Sequence, residues 1–279
     1  SGIILEGPDQ SDQFGYVTLS DIAMTPTGDF NGDGIDDVAI SFARDVDNPV
    51  DSIVVFYGGN FAGSVLESAQ QNSGRFVVSG IDGTNGFRFF GGNGIASRNV
   101  FGQTLAAGDL NNDGFNDLSI TAFDYDVDNP IGVENIESAI VTLFGGNGVG
   151  SIVQIATQNL GTIDGDDLTP NNFFAIAEQV NDPLLNNFTN GLDSGGDFNG
   201  DGIDDMVIGG RANDYGGDFS GSAYVIFGGT GQNSILDEAA SDLDTPGVFL
   251  FDNENFTNDQ VLRIDGNSAS LRLGEEVAF

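Results

Sequence analysis

Cysteine, histidine, lysine and tryptophan are absent from this chain of 279 residues, and all seven of its positive charges are arginines. Without cysteine there is no disulfide framework and no thiol chemistry. Without cysteine and histidine no common nucleophile–base pair can be assembled, and zinc or iron sites built on thiolate or imidazole are excluded. A Ser–Lys arrangement falls with the missing lysine. Long apolar runs are missing as well. No stretch approaches the length of a membrane-spanning helix and none reads as a signal peptide, the opening Ser-Gly being compatible with a processed N-terminus. Positive charge is scarce: 43 acidic residues against seven basic ones give a formal charge of −36. Nucleic acid and membrane insertion are therefore not expected, and divalent cations are the natural partners of such a surface.

What the chain has instead is glycine, phenylalanine and a recurring acidic decapeptide. The stretch GDFNGDGIDD (28–37) returns as GDLNNDGFND (108–117) and again as GDFNGDGIDD (196–205). Oxygen-bearing side chains stand at alternate positions: Asp29, Asn31, Asp33; Asp109, Asn111, Asp113; Asp197, Asn199, Asp201. A glycine follows each third donor (Gly34, Gly114, Gly202), where a tight loop needs a residue free to take positive φ. Asp37, Asp117 and Asp205 close the copies. A hard cation wanting six to eight oxygens is wrapped in this way, with one oxygen from a backbone carbonyl, here that of Ile35, Phe115 or Ile203. The loop differs from an EF-hand, whose twelfth position is a bidentate Glu; here Ile40, Ile120 and Ile208 stand there, inside apolar runs that read as strands. Magnesium fits less well, because it keeps several waters. Three Asx-rich turns without metal are the plainer alternative. Recurrence of every donor position favours about three Ca2+ ions.

The loops mark an internal repeat, with 80 residues from Asp29 to Asp109 and 88 from Asp109 to Asp197. Each unit opens on a short apolar strand (Ile3–Gly7, Phe87–Gly91, Phe173–Ile176). A Phe-Gly pair follows at Phe14-Gly15 and Phe101-Gly102, degraded to Phe188-Thr189 in the third unit. The acidic loop and its strand come next, then a strand ending in Gly-Gly: IVVFYGG (53–59), IVTLFGG (140–146), AYVIFGG (223–229). The segments after Gly-Gly, such as SVLESAQQN, read as a single helical turn or an irregular connector. The units run about 2–85, 86–171 and 172–260. Residues 261–279 start a fourth, with Leu273-Gly274 standing where Phe-Gly stood; the segment either continues in a longer polypeptide or completes a blade elsewhere. Short strands with tight turns make antiparallel sheets that must stack to bury both faces, and units this long favour radial stacking. The expected fold is all-β: a β-propeller-type array of antiparallel blades in one domain.

These residues resemble FG-GAP repeats, the units of the integrin α-subunit head, and are similar to the arrays of large secreted bacterial surface proteins. The best stretch runs from NGFRFFGG (85–92) through FGQTLAAGDLNNDGFNDLSITAF (101–123) to VTLFGG (141–146). The resemblance implies three full repeats plus the first strand of a fourth, each repeat a propeller blade with calcium in a hairpin loop. Carried over by position, the ligands are Asp29, Asn31, Asp33, Ile35 and Asp37; Asp109, Asn111, Asp113, Phe115 and Asp117; Asp197, Asn199, Asp201, Ile203 and Asp205. The "GAP" positions are not kept, and three repeats do not make the seven blades usual in the family.

The function expected is a non-catalytic, extracellular calcium-binding module for adhesion, a surface layer or a fibre, its partner another protein or a second copy held through blade edges. A carbohydrate-binding propeller, or an accessory domain of a secreted enzyme that binds glycans, is the alternative. The aromatic pieces Phe87–Phe90 and Phe249–Phe251 could line a sugar site but read first as core. Acidic residues outside the loops (Glu134, Glu137, Glu238, Glu254) read as a solvated face.

Overall fold

The computed structural model describes residues 2–6, 23–42, 52–90, 100–123, 136–179, 191–251 and 256–279. Phe14-Gly15, Phe188-Thr189, Glu134 and Glu254 lie outside these. After a short strand β1 (Ile4–Glu6), three units follow the same order. The first contains β2 (Met24–Gly28), β3 (Asp37–Phe42), β4 (Ser52–Phe56), helix α1 (Val65–Gln71), β5 (Arg75–Val77) and β6 (Gly86–Phe90). The second contains β7 (Val100–Gly108), β8 (Asp117–Phe123), β9 (Ile136–Leu143), α2 (Ile152–Gln158), β10 (Thr162–Ile163) and β11 (Phe173–Gln179). The third contains β12 (Gly191–Gly196), β13 (Asp205–Gly210), β14 (Ser222–Ile226), α3 (Ile235–Ser241), β15 (Val248–Phe251) and β16 (Val261–Asp265).

Three four-stranded antiparallel blades result: β2-β3-β4-β6, β7-β8-β9-β11 and β12-β13-β14-β16. Sequence unit and blade are out of phase by one strand, because the strand on which each sequence unit opens closes the blade before it. Thus β6 pairs with β4, and β16, the strand at the head of the fourth sequence unit, pairs with β14 to finish the third blade. A second link crosses each joint. The short strand after each helix adds in parallel to the outer strand of the preceding blade: β10 to β6, and β15 to β11. In the same register β5 adds to β1, so β1 stands where a preceding blade's outer strand would be. Inner strands of successive blades touch, β2 with β7 and β7 with β12. Among the described residues the blades form a row that is not closed into a ring.

Both faces of the first two blades are covered, which is why their central strands read as apolar runs rather than alternating ones. Alternate residues of one strand go to opposite joints. Ile53 and Val55, with Phe87 and Phe89, pack against Val141 and Leu143 of the second blade. Ile140, Phe174 and Ile176 pack against Tyr224 and Ile226 of the third. Val54 and Phe56 meet Val65, Ala69 and Phe76 on the outer side of the first. Each fully buried Phe or Ile at a joint stabilises by roughly 1.5–3 kcal/mol. Phe87, Phe89, Phe249 and Phe251 are all core.

The segments after Gly-Gly are seven-residue helices, longer than the single turn expected. Ser64, Ser151 and Ser234 cap them, accepting N–H bonds from Glu67, Gln154 and Asp237. The third-position side chains return the favour to Gly63, Gly150 and Asn233. The signal was present in SVLE, SIVQ and SILD, each a Ser followed three residues later by an acid or amide. Small and aliphatic residues on the inner side (Val65 and Ala69, Ile152 and Ala156) seat each helix.

Leu273-Gly274 does stand where Phe101-Gly102 stands. Both glycines have positive φ, +76° at Gly102 and +84° at Gly274. Both lie hard against the preceding blade: a Cβ on Gly102 would come 2.3 Å from Ile53 Cδ1, and one on Gly274 2.2 Å from the Ser222 carbonyl. Beyond it, Phe279 lies over Gly196, the place of a following blade's first strand.

Candidate metal centre

Each acidic decapeptide connects the first and second strands of its blade, so the three loops occupy equivalent places along the row. Their internal bonding is the same. In the first, Asp29 accepts N–H bonds from Asp33 and Gly34 at 2.9 and 2.8 Å, one on each oxygen. Asn31 Oδ1 accepts from Asp33 N at 2.8 Å, and Asp33 Oδ1 from Ile35 N at 2.9 Å. The second loop repeats these bonds with Asp109, Asn111 and Asp113. The third repeats them with Asp197, Asn199 and Asp201. Gly34, Gly114 and Gly202 have φ of +85°, +91° and +89° with open space where a Cβ would go, so the dihedral and not the room requires glycine.

The closing aspartates are turned inward. Asp37 Oδ2 accepts from Phe30 N and Asn31 N, both at 3.1 Å, and its Oδ1 from Gly58 N at 2.7 Å. Asp117 bonds Leu110 N and Gly145 N; Asp205 bonds Phe198, Asn199 and Gly228 N. Three of the roughly four lone-pair positions of Asp37 are thus occupied by the protein's own donors. Burial raises its carboxyl to about 6, against the opposing pull of the Gly58 and Asn31 bonds, and the charges of Asp33 and Asp29 add to the rise. Asp117, fully buried, is pushed well above the usual carboxylate range, chiefly by burial. Burial also raises Asp205 and Asp109.

The donor set is all oxygen: two carboxylates and an amide per loop, the first carboxylate half-buried in the first two loops and exposed in the third, with a buried carboxylate behind them. Counting acidic side chains alone, no three gather into one metal-holding group among the described residues. The ion pairs Arg75–Glu6, Arg211–Glu275 and Arg263–Asp265 involve none of the loop carboxylates. Closely spaced carboxylates partly withdrawn from water are the arrangement that a hard divalent cation relieves, and the residues present fit one. The side-chain donors within the loop are Asp29, Asn31 and Asp33 and their equivalents. Ile35, Phe115 and Ile203 anchor the loop from the seventh position, their N–H groups on Asp33, Asp113 and Asp201. Their side chains lie over the second glycine of Gly-Gly.

The residues that the sequence pattern left without a role are the first glycines of Gly-Gly. A Cβ on Gly58, Gly145 or Gly228 would lie 2.3, 2.3 or 2.1 Å from the carbonyl oxygen of Asp36, Asn116 or Asp204. Only glycine lets this turn approach the loop and offer its N–H to the closing aspartate. The threefold recurrence of Gly-Gly at the end of the same strand was the available signal.

Residues 101–130, covering Phe101-Gly102, the second loop and β8, match the profile of a family described as FG-GAP repeat. No curated protein matches the chain. Among the described residues no helix is long and apolar enough to cross a membrane.

Proposed function

We propose, from a chain whose residues 101–130 match the FG-GAP repeat profile, that this is an extracellular structural module whose three loops bind Ca2+. The observation that carries the reading is one loop conformation, with one oxygen donor set, kept at the same place in three blades. Bound calcium would supply charge compensation and fixed coordination; the chain's own residues do the remainder. Asp29, Asn31 and Asp33 and their equivalents orient the outer oxygens, while Asp37, Asp117 and Asp205 tie the loop to the Gly-Gly turn. With the loops stiff, the blades dock.

The open side of the third blade supports a role in assembly. Leu262 and Ile264 of β16 are 38% and 45% exposed, whereas their counterparts Phe87, Phe89, Phe174 and Ile176 are at most 2% exposed. Those counterparts are covered by a following blade, and β6 and β11 also carry a parallel strand that β16 lacks among the described residues. Strands from a second copy would complete this surface, giving a layer or fibre. The contact is heterologous and continues from molecule to molecule.

The test is thermal unfolding with and without chelator, beside calorimetric titration. Each site adds about 2.7 kcal/mol when free calcium is a hundredfold above its Kd. Three sites then lower Tm on chelation by more than about 10 °C, at roughly 2–4 °C per kcal/mol for a chain of this size. A melt unchanged by EDTA would end the proposal.

A further inference from the structure

The three loops are not independent of one another. Gly146 N donates to the Phe30 carbonyl and Gly229 N to the Leu110 carbonyl, each at 2.7 Å. The Gly-Gly turn of one blade is thereby bonded to the loop of the blade before it. At the eighth loop position the side chain also reaches backward. In the first joint Asn116 lies against Gly28, next to Asp29; a Cβ on Gly28 would meet its amide nitrogen at 2.5 Å. In the second joint Asp204 Oδ2 accepts the N–H of Asp109 at 2.9 Å. Equivalent positions thus bring a neutral amide to the first loop and a full negative charge to the second.

We propose that Asp204, a residue of the third loop, is a positioning and affinity-setting residue for cation binding at the second loop. This rests on reading the loops as calcium sites. Its bond fixes the backbone of Asp109, the first donor of that loop. Its carboxylate acts electrostatically on Asp109 beside Asp113, whereas at the equivalent place the first loop receives the neutral amide of Asn116. The second site is therefore the tightest of the pair, and its affinity depends on the blade that follows it.

The test is a calcium titration of the 15N-labelled full chain. The amides of Gly34, Gly114 and Gly202 report one loop each. Asn is already the native residue at position 116, so Asp204→Asn is compatible with the loop and keeps a hydrogen-bond acceptor while removing charge. It should weaken calcium binding read at Gly114 by roughly three- to tenfold at low salt, and less at high salt. Asp204→Ala, which removes the acceptor too, should weaken it further. Asn116→Asp should tighten binding read at Gly34 by a similar factor. If Asp204→Asn moves only Gly202, or Asn116→Asp moves only Gly114, cross-joint action is refuted while the calcium sites stand. If calcium moves none of the three amides in the unaltered chain, the calcium reading itself is refuted, and this inference with it.

Discussion

Replacing Gly145 with alanine isolates the contact that couples a loop to its own blade. Gly145 is not among the positive-φ glycines, so alanine meets no dihedral penalty there. Any loss must come from contact. The new Cβ would lie 2.3 Å from the Asn116 carbonyl oxygen and 3.0 Å from that of Phe30. Both are backbone atoms and cannot swing aside as a side chain would. Restoring ordinary van der Waals separation needs a displacement of about 1 Å. That stretches the 3.1 Å bond from Gly145 N to Asp117 Oδ1 beyond bonding range. A buried hydrogen bond is worth about 0.5–1.5 kcal/mol, and leaving the buried Asp117 short of a donor adds about 1–3 kcal/mol. The neighbouring bond from Gly146 to Phe30 is strained in the same movement. The expected cost is about 3–5 kcal/mol, read by urea unfolding followed by circular dichroism. The cost should persist in chelator, because the contact is between protein atoms. Gly114→Ala provides the contrast, with φ of +91° and empty space around it. It should cost about 1–2 kcal/mol in dihedral strain and weaken calcium at the second loop. A Gly145→Ala loss below about 1 kcal/mol would refute the steric argument, since that is the scale of an ordinary substitution.

Two further outcomes are expected. Asn172, buried, donates to the carbonyls of Gly150 and Asp167 and accepts from Thr169 N; Asn172→Ala should cost roughly 2–3 kcal/mol in urea unfolding, because three backbone groups lose their partner. Ile264→Asp should leave the monomer's unfolding midpoint within about 0.5 kcal/mol, as a change at a half-exposed position. It should also abolish any concentration-dependent sedimentation shown by the unaltered chain with calcium. A chain that sediments as a monomer at every concentration would remove the assembly reading.

The loops and strands were legible because their determinants are local. Alternate Asp and Asn with a glycine after the third encode a turn through side-chain to backbone bonds spanning two to five residues, and IVVF or IVTL can hardly be anything but a buried strand. The helices were legible in part: Ser64 and Glu67 spell a cap, but seven residues of mixed polarity carry too little periodicity to fix a length. Pairing was not legible. Nothing in GFRFF says whether it belongs to the sheet before it or after it, because the apolar face of Phe87 and Phe89 suits either and its partner β4 lies about 30 residues upstream. Nor does the pattern say that Asp37 turns inward, since that depends on an N–H presented by Gly58 from another strand.

The phase difference between repeat and blade has a mechanical consequence. A blade that coincided with its sequence unit would meet its neighbour across one linker and a packed face. Here each joint is crossed by the chain on its way from an outer strand to the next inner one. It is crossed again by a helix-borne strand returning to pair in parallel, as β15 does on β11 over four residues. It is crossed a third time at the loops, by Gly229 on Leu110 and Asp204 on Asp109. Opening one joint therefore breaks backbone bonds at both its edge and its loop end, which a hydrophobic face alone would not require. Stiffness supplied at a loop has a direct route to the next blade through those bonds. It reaches the outer edge only through the strands between. Among the described residues no following blade packs on Leu262 and Ile264 of the third blade, so the bonds described here carry that stiffness only across the two joints before it.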